Sequence, residues 1–353
     1  MLMIVKEILL PHRYNRDRVN EHGVPGQLRT VALGKDGTRI SAVGIGTWQW
    51  GSGSWGYGKD YTKDDLRKVF RKARDLSINF FDTAEAYGES ESILGEVLAS
   101  EGREGLVIAT KVAPQNATYG GTLKAANKSL GRLGLKCVDL YQLHWPNPLY
   151  GLGGTMRAFD KLHKDGKIAM AGVSNFGLNG VIEARKLLKS ARLVSDQVQY
   201  NLLERGPEKD LLPYLQKEGM TLIAYSPLAQ GLLSGNLQRR PKDLVRAVNP
   251  YYSGSNLNSI RQLIEVLDRI ARARGVTVTQ VSLNWLINKD SVVPIVGAKR
   301  ESHVAEIGGA LGWSLNQSEL TEIDETLKRV RTSRISGYLT APLRVLRFLV
   351  SGK

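Results

Sequence analysis

Leu106-Val-Ile-Ala-Thr-Lys111 is a short apolar run that ends on a lysine, too short for a helix and bounded by polar stretches. The same pattern stands on both sides of it. Asn79-Phe-Phe-Asp-Thr-Ala-Glu-Ala-Tyr-Gly88 ends a run on Asp82 and puts Tyr87 in the following loop. Val138-Asp-Leu-Tyr-Gln-Leu-His-Trp-Pro146 ends on His144. Further outward, strand candidates fall at Val43–Gly46, Asn79–Asp82, Leu106–Thr110, Val138–Leu143, Ile168–Val173, Val194–Val198, Thr221–Ala224 and Val292–Ile295. Amphipathic helix patterns lie between them at 63–76, 90–99, 120–133, 155–164, 178–189, 207–217 and 259–273, with others at 278–288, 301–310 and 317–330. Strand–helix alternation of this kind predicts a parallel sheet with helices outside. Eight such units with no Pro/Ser-rich linker favour an α/β chain closed as a (β/α)8 TIM barrel over an open doubly wound sheet.

Around that core, Asp36-Gly37 between the apolar runs of residues 30–41 predicts an N-terminal β-hairpin plugging the barrel bottom. The helices beyond strand eight are extra C-terminal helices, and the irregular stretch 226–258 is expected on the top face. The domains read as an arm at 1–27, a barrel at 28–330 and a basic tail at 331–353.

Composition sets outer limits. Of 353 residues, 42% are hydrophobic and 24% charged, ordinary for a globular chain. The net charge of +15 is uneven, because residues 328–353 hold seven basic residues and no acid. No basic stripe with interleaved aromatics accompanies it, so nucleic-acid binding is not expected. The single cysteine, Cys137, excludes a disulfide framework and fits a reducing, cytoplasmic setting. Residues 1–11 lack a basic start and carry Glu7 within the apolar run, a poor secretory signal. No apolar run approaches the ~18 residues of a transmembrane helix. Residues 342–350 read either as a short basic amphipathic helix on anionic lipid or, as favoured here, as a segment that packs on the protein or frays.

Gly51-Ser-Gly-Ser-Trp-Gly56 matches a dinucleotide fingerprint, but that turn needs its helix to begin on the glycines. Here the next helix signal is Thr62-Lys-Asp-Asp65, an N-cap with acidic first-turn residues. The stretch reads as a flexible top-face loop.

Asp82, Tyr87, Lys111 and His144 therefore come from three consecutive strand ends, which in a barrel face one cup. The set suits proton transfer at a carbonyl or alcohol oxygen. A phenol titrates near 10. A close Lys111 is expected to lower the Tyr87 pKa by roughly 1 to 3 units, with Asp82 holding the ammonium charged and His144 hydrogen-bonding the same substrate oxygen. No metal is required.

With these residues the chain resembles the aldo-keto reductases over about residues 28–330, nearest to bacterial-type members related to potassium-channel β subunits. The resemblance implies a (β/α)8 barrel that binds NADPH/NADP+ across its top and reduces an aldehyde or ketone by hydride transfer, with Asp82, Tyr87, Lys111 and His144 as the catalytic tetrad and Tyr87 as acid. It implies cofactor contacts from Gly46, Thr47 and Trp48, from Asp82, and from Ser174, Asn175 and Gln197 to the carboxamide. Tyr225 would stack on the nicotinamide, and Ser226, Leu228 and Gly231 would cover the pyrophosphate. Gly297, Lys299, His303 and Glu306 would hold the adenosine 2′-phosphate side, although His303 and Ile307 depart from the residues common in the family. Trp50 and Trp145 are expected as substrate-pocket walls suited to an aromatic or flat aldehyde. Two other readings stay open: a non-catalytic NADPH-binding redox sensor or regulatory subunit, and a Schiff-base aldolase using Lys111.

Overall fold

The structure is a computed structural model and describes residues 29–35, 37–237 and 244–333. The hairpin pairs β1 (Thr30–Leu33) with β2 (Thr38–Ser41) antiparallel. Eight parallel strands then follow: β3 (Gly44–Gly46), β4 (Phe80–Asp82), β5 (Val107–Val112), β6 (Val138–Leu143), β7 (Ile168–Ser174), β8 (Leu193–Gln199), β9 (Thr221–Tyr225) and β10 (Val292–Gly297). Each pairs with its neighbour in sequence, and β10 closes on β3, so the sheet is a barrel. The expected (β/α)8 fold is what forms.

The outer helices are α1 (Lys63–Asp75), α2 (Ser90–Glu101), α3 (Tyr119–Leu133), α4 (Gly153–Lys164), α5 (Leu178–Leu187) and α6 (Leu211–Glu218), then, after the short α7 (Leu244–Val248) within the loop that follows β9, α8 (Gly254–Arg274), α9 (Val278–Ile287), α10 (Glu301–Gly308) and α11 (Gln317–Arg329). Local chemistry sets their starts. Thr62 caps α1 in a reciprocal capping box with Asp65, so this helix does not begin on the glycines of 51–56. Ser253 accepts from the Asn256 N–H, which starts α8 five residues before the apolar periodicity suggests. Pro207 holds residues 206–208 in a single 3₁₀ turn, and α6 begins later than expected.

Two cores result. Phe80, Val107, Ala109, Leu140, Val194, Ile223, Val293 and Ile295 fill the barrel interior, and Leu33 and Ile40 of the hairpin join them as the plug. The second core lies between the strands and the helix ring. Alternation along a strand then decides what stands above the plug. Two residues past Phe80 is Asp82, two past Ala109 is Lys111, and two past Leu140 is Gln142. β8 reaches the same layer through an irregularity: its register against β7 jumps from Leu193 to Ser195, which restores Gln197 to the interior.

Among the described residues no helix is long and apolar enough to cross a membrane. The expected arm at 1–27, the residue Asp36 of the hairpin turn, and the tail from 334 onward lie outside the described residues.

The α2–α3 contact is close because of Gly95. A Cβ there would stand 2.3 Å from the Arg132 carbonyl oxygen and 2.9 Å from the Leu133 Cα, and backbone cannot swing aside. Gly95→Ala is expected to destabilise the fold by about 2–3 kcal/mol, whereas Gly131→Ala, with nothing within 4 Å, should be neutral or stabilising. Urea denaturation of both variants checks this; equal midpoints would contradict the packing.

Candidate active site

Lys111 is completely buried, and its Nζ donates to Asp82 Oδ1 at 2.5 Å and to the Thr83 carbonyl at 2.9 Å. The other Asp82 oxygen, Oδ2, accepts from Gln197 Nε2 at 2.8 Å and Gln142 Nε2 at 3.2 Å. Burial alone opposes the ammonium, yet the facing Asp82 and the Tyr87 hydroxyl outweigh it and hold Lys111 above the ordinary lysine value. The strand ends are fixed by a hydroxyl knot. Thr47 donates through N and Oγ1 to the Asp82 carbonyl, and Ser90 at the start of α2 bonds both Thr47 and Thr83.

Tyr87 stands over this pair. Its Oη lies 3.4 Å from His144 Nε2 and 3.5 Å from Lys111 Nζ, with the lysine 5.0 Å from the ring centroid. The loop that carries it is pinned where Glu85 accepts from the Ala113 N–H at 2.5 Å and from Asn116 Nδ2 at 3.0 Å. The expected lowering of the Tyr87 pKa is reversed. Burial disfavours the phenolate most, Lys111 pulls the other way, and Asp82 beside that lysine cancels part of its field, so the phenol sits above its ordinary value. At neutral pH Tyr87 is therefore a proton-bearing hydroxyl. His144 is pushed down to about 3, first by burial and then by the Lys111 charge, and is a neutral imidazole.

The polar layer continues around the barrel. Ser174 Oγ donates to the Gln197 carbonyl at 2.8 Å. Asn175 takes a left-handed backbone (φ 64°), which lets its N–H reach the Gln197 carbonyl at 2.9 Å and its Nδ2 reach the His144 carbonyl at 3.0 Å. Tyr225 Oη donates to Asn175 Oδ1 at 2.9 Å. Strands β4 to β9 are thus joined at one level by side chains aimed at one opening.

The family model for the aldo/keto reductase family matches residues 42–328. The chain belongs to that family. An uncharacterised oxidoreductase of Mycobacterium tuberculosis is 39% identical over 311 residues, covering 87% of this chain and 95% of its own. The chloroplastic pyridoxal reductase of Arabidopsis thaliana is 34% identical, covering 84% and 86%. A solved aldo-keto reductase from Klebsiella pneumoniae in complex with NADPH superposes with a TM-score of 0.68 at 28% identity, covering 87% of this chain and all of that one.

Within this aldo/keto reductase the remaining expected residues are placed unevenly. Gly46 and Gly297 are paired at the tops of β3 and β10. Ser226 and Gly231 both take positive φ in the turn after β9, and Leu228 lies half-buried between them. Lys299 Nζ donates to the Trp55 carbonyl at 2.7 Å and lies 5.0 Å from the Trp55 ring centroid and 5.2 Å from that of Tyr61. Arg246 lies over the same Trp55 ring at 5.7 Å. His303 Nδ1 accepts from the Lys299 N–H at 3.3 Å, while Glu306 accepts from Thr277 Oγ1 at 3.1 Å, away from that turn. The glycine-rich loop is therefore tied to the β10 end, and its Trp55 is buried.

Trp50 is not a pocket wall here. It is completely buried, and its indole N–H donates to the Ala298 carbonyl at 3.1 Å, because the backbone turns inward after Thr47. Trp48 takes the exposed position instead, 41% accessible and 6.4 Å from the Tyr87 ring. Trp145 is 47% exposed beside His144. Gln142 was missed by the sequence reading although strand alternation from Leu140 to His144 points to it; it is completely buried, and its Oε1 has no partner.

The depressed His144 has a direct consequence. In the folded protein its ring should stay neutral from pH 8 to pH 5, the range in which an ordinary histidine near 6.5 changes charge. Ring proton or carbon shifts by NMR check this; a titration midpoint near 6.5 would contradict it.

Proposed function

We propose that the chain reduces aldehydes or ketones to alcohols with NADPH, with Tyr87 as general acid. The observation that carries this reading is the Tyr87 hydroxyl, proton-bearing at neutral pH, within reach of a buried cation and a neutral imidazole. Separations of 3.4 and 3.5 Å are long for hydrogen bonds, and such contacts commonly shorten when substrate binds.

The residues fit the cofactor. Gln197 spends its Nε2 on Asp82, so Oε1 is the atom it offers a carboxamide N–H. Ser174 and Asn175 stand beside it, and Tyr225 presents a ring on the same side. Gln49 lies against Gly297 at the β10 top, and its buried Oε1 lacks a partner. Lys299, Arg300 and Arg246 place positive charge where phosphates would lie, and this charge with the Klebsiella complex supports NADPH. When bound, NADPH would supply the hydride.

The chain's own groups handle the proton. Tyr87 Oη gives its proton to the carbonyl oxygen as negative charge develops there. Lys111, kept charged by Asp82, then faces the new phenolate and stabilises it. His144, neutral and in its Nε2–H tautomer, donates to the same oxygen and fixes its approach. Trp145 and Trp48 offer apolar faces to the rest of the substrate, and the plant relative named for pyridoxal, an aromatic aldehyde, agrees with that wall. A cytoplasmic site of action, with no nucleic-acid partner, belongs to the same proposal.

Tyr87→Phe should cut kcat by about 10² to 10⁴ and leave the NADPH dissociation constant nearly unchanged. Undiminished turnover would remove Tyr87 from the mechanism, and tight NADPH binding with no turnover of an aldehyde panel by the unaltered protein would favour the sensor reading. Lys299→Ala should raise KM for NADPH by about tenfold or more, as expected for loss of a charge-assisted phosphate contact, and change KM for NADH little; equal effects would place the 2′-phosphate elsewhere.

A further inference from the structure

The loops at the carboxyl ends of the strands divide by charge. The four consecutive loops after β4, β5, β6 and β7 (residues 83–89, 113–118, 144–152 and 175–177) contain no lysine or arginine. They hold two carboxylates, Glu85 and Glu89. Among the described residues every cation on the carboxyl-end loops lies in the other half: Lys59, Arg205, Lys209, Arg246, Lys299 and Arg300. The one ammonium beneath the cation-free half is Lys111, which Asp82 neutralises at 2.5 Å. His144 adds no charge at neutral pH. Arg157, the first cation after residues 144–152, lies along α4 beside Gly153.

The cation-free half also carries the three most exposed large apolar side chains among the described residues. Trp145 is 47% accessible, Tyr150 50% and Leu149 86%, and all three sit on the loop that begins at His144. That loop is held in place: Asn147 Nδ2 donates to the Pro114 carbonyl at 2.8 Å, and Asn147 Oδ1 accepts from the Leu149 N–H at 2.9 Å. Leaving three large apolar side chains in water on a pinned loop is costly unless they meet something.

From this division we infer that the site selects against anionic carbonyl compounds and takes uncharged, apolar or aromatic ones. The inference rests on the reductase reading above and names its substrate class. A carboxylate or phosphate carried by the substrate would enter a half whose loops carry Glu85 and Glu89 and no lysine or arginine to pair with, while the dinucleotide's phosphates have the opposite half. A like-charge encounter across a partly solvated cleft disfavours both approach and binding.

The test compares 3-(4-formylphenyl)propanoate with its amide, whose side-chain charge is insulated from the aldehyde by two methylenes. At low ionic strength kcat/KM for the carboxylate should be roughly tenfold below that of the amide, and the gap should narrow near about 0.5 M salt. Leu149→Arg, at a position exposed enough to accept the change, should raise the carboxylate-to-amide ratio several-fold. Equal rates for the two at low salt, or preference for the carboxylate, would overturn the inference. Dissociation constants of both compounds, measured by tryptophan quenching in saturating NADP+, read the discrimination without turnover. Weaker carboxylate binding with neither compound reduced would uphold the charge selection and sink the reductase reading instead.

Discussion

Lys111 lies at 0% exposure near the top of the barrel interior, and everything around it follows from keeping that ammonium charged. Removing such an ion from water costs several kcal/mol even after relaxation. A single carboxylate at 2.5 Å offsets this only if its own remaining lone pairs are also satisfied. Asp82 meets that condition through two amides, Gln197 and Gln142, brought in from strands β8 and β6. The ion pair is therefore a five-strand arrangement: β4 and β5 carry the charges, β6 and β8 carry the amides, and β3 fixes the Asp82 backbone through Thr47. Breaking such a pair by removing one member leaves a buried, unpaired charge worth about 3–5 kcal/mol.

The pair also sets the character of the phenol above it. A lone cation would make Tyr87 more acidic at rest; with Asp82 opposing part of its pull, burial decides the sign. The arrangement holds the proton in the resting state and, in the proposed reaction, would still present an ammonium to the phenolate left by proton transfer. This differs from simple acidification by a neighbouring charge, and it suits a donor at neutral pH better than a phenol that has already ionised.

Much of this was legible in the sequence because it is periodic. Eight short apolar runs separated by amphipathic stretches define the barrel, and the four tetrad residues sit at or just beyond strand ends, where the fold gathers them at one end of the barrel. Alternation also carried a signal that went unused: Leu140, Gln142 and His144 share one face, so Gln142 had to stand beneath the histidine. Trp50 was a different matter. Past Gly46 the strand ends, periodicity stops, and whether Trp48 or Trp50 faces the opening depends on a turn that sends the Trp50 indole N–H to the Ala298 carbonyl, more than 200 residues away. The resting state of Tyr87 was out of reach for a related reason, since it is the balance of burial against two opposed charges whose distances only the fold supplies.

The Tyr87 phenol pKa in the free protein tests the account most directly, through NMR of ¹³Cζ-labelled tyrosine with Tyr87→Phe for assignment. The account predicts titration above the ordinary tyrosine value of 10, rising further in Lys111→Met as the remaining cation is removed. A phenol that ionises below 10 in the unaltered protein, or one indifferent to loss of Lys111, would contradict it.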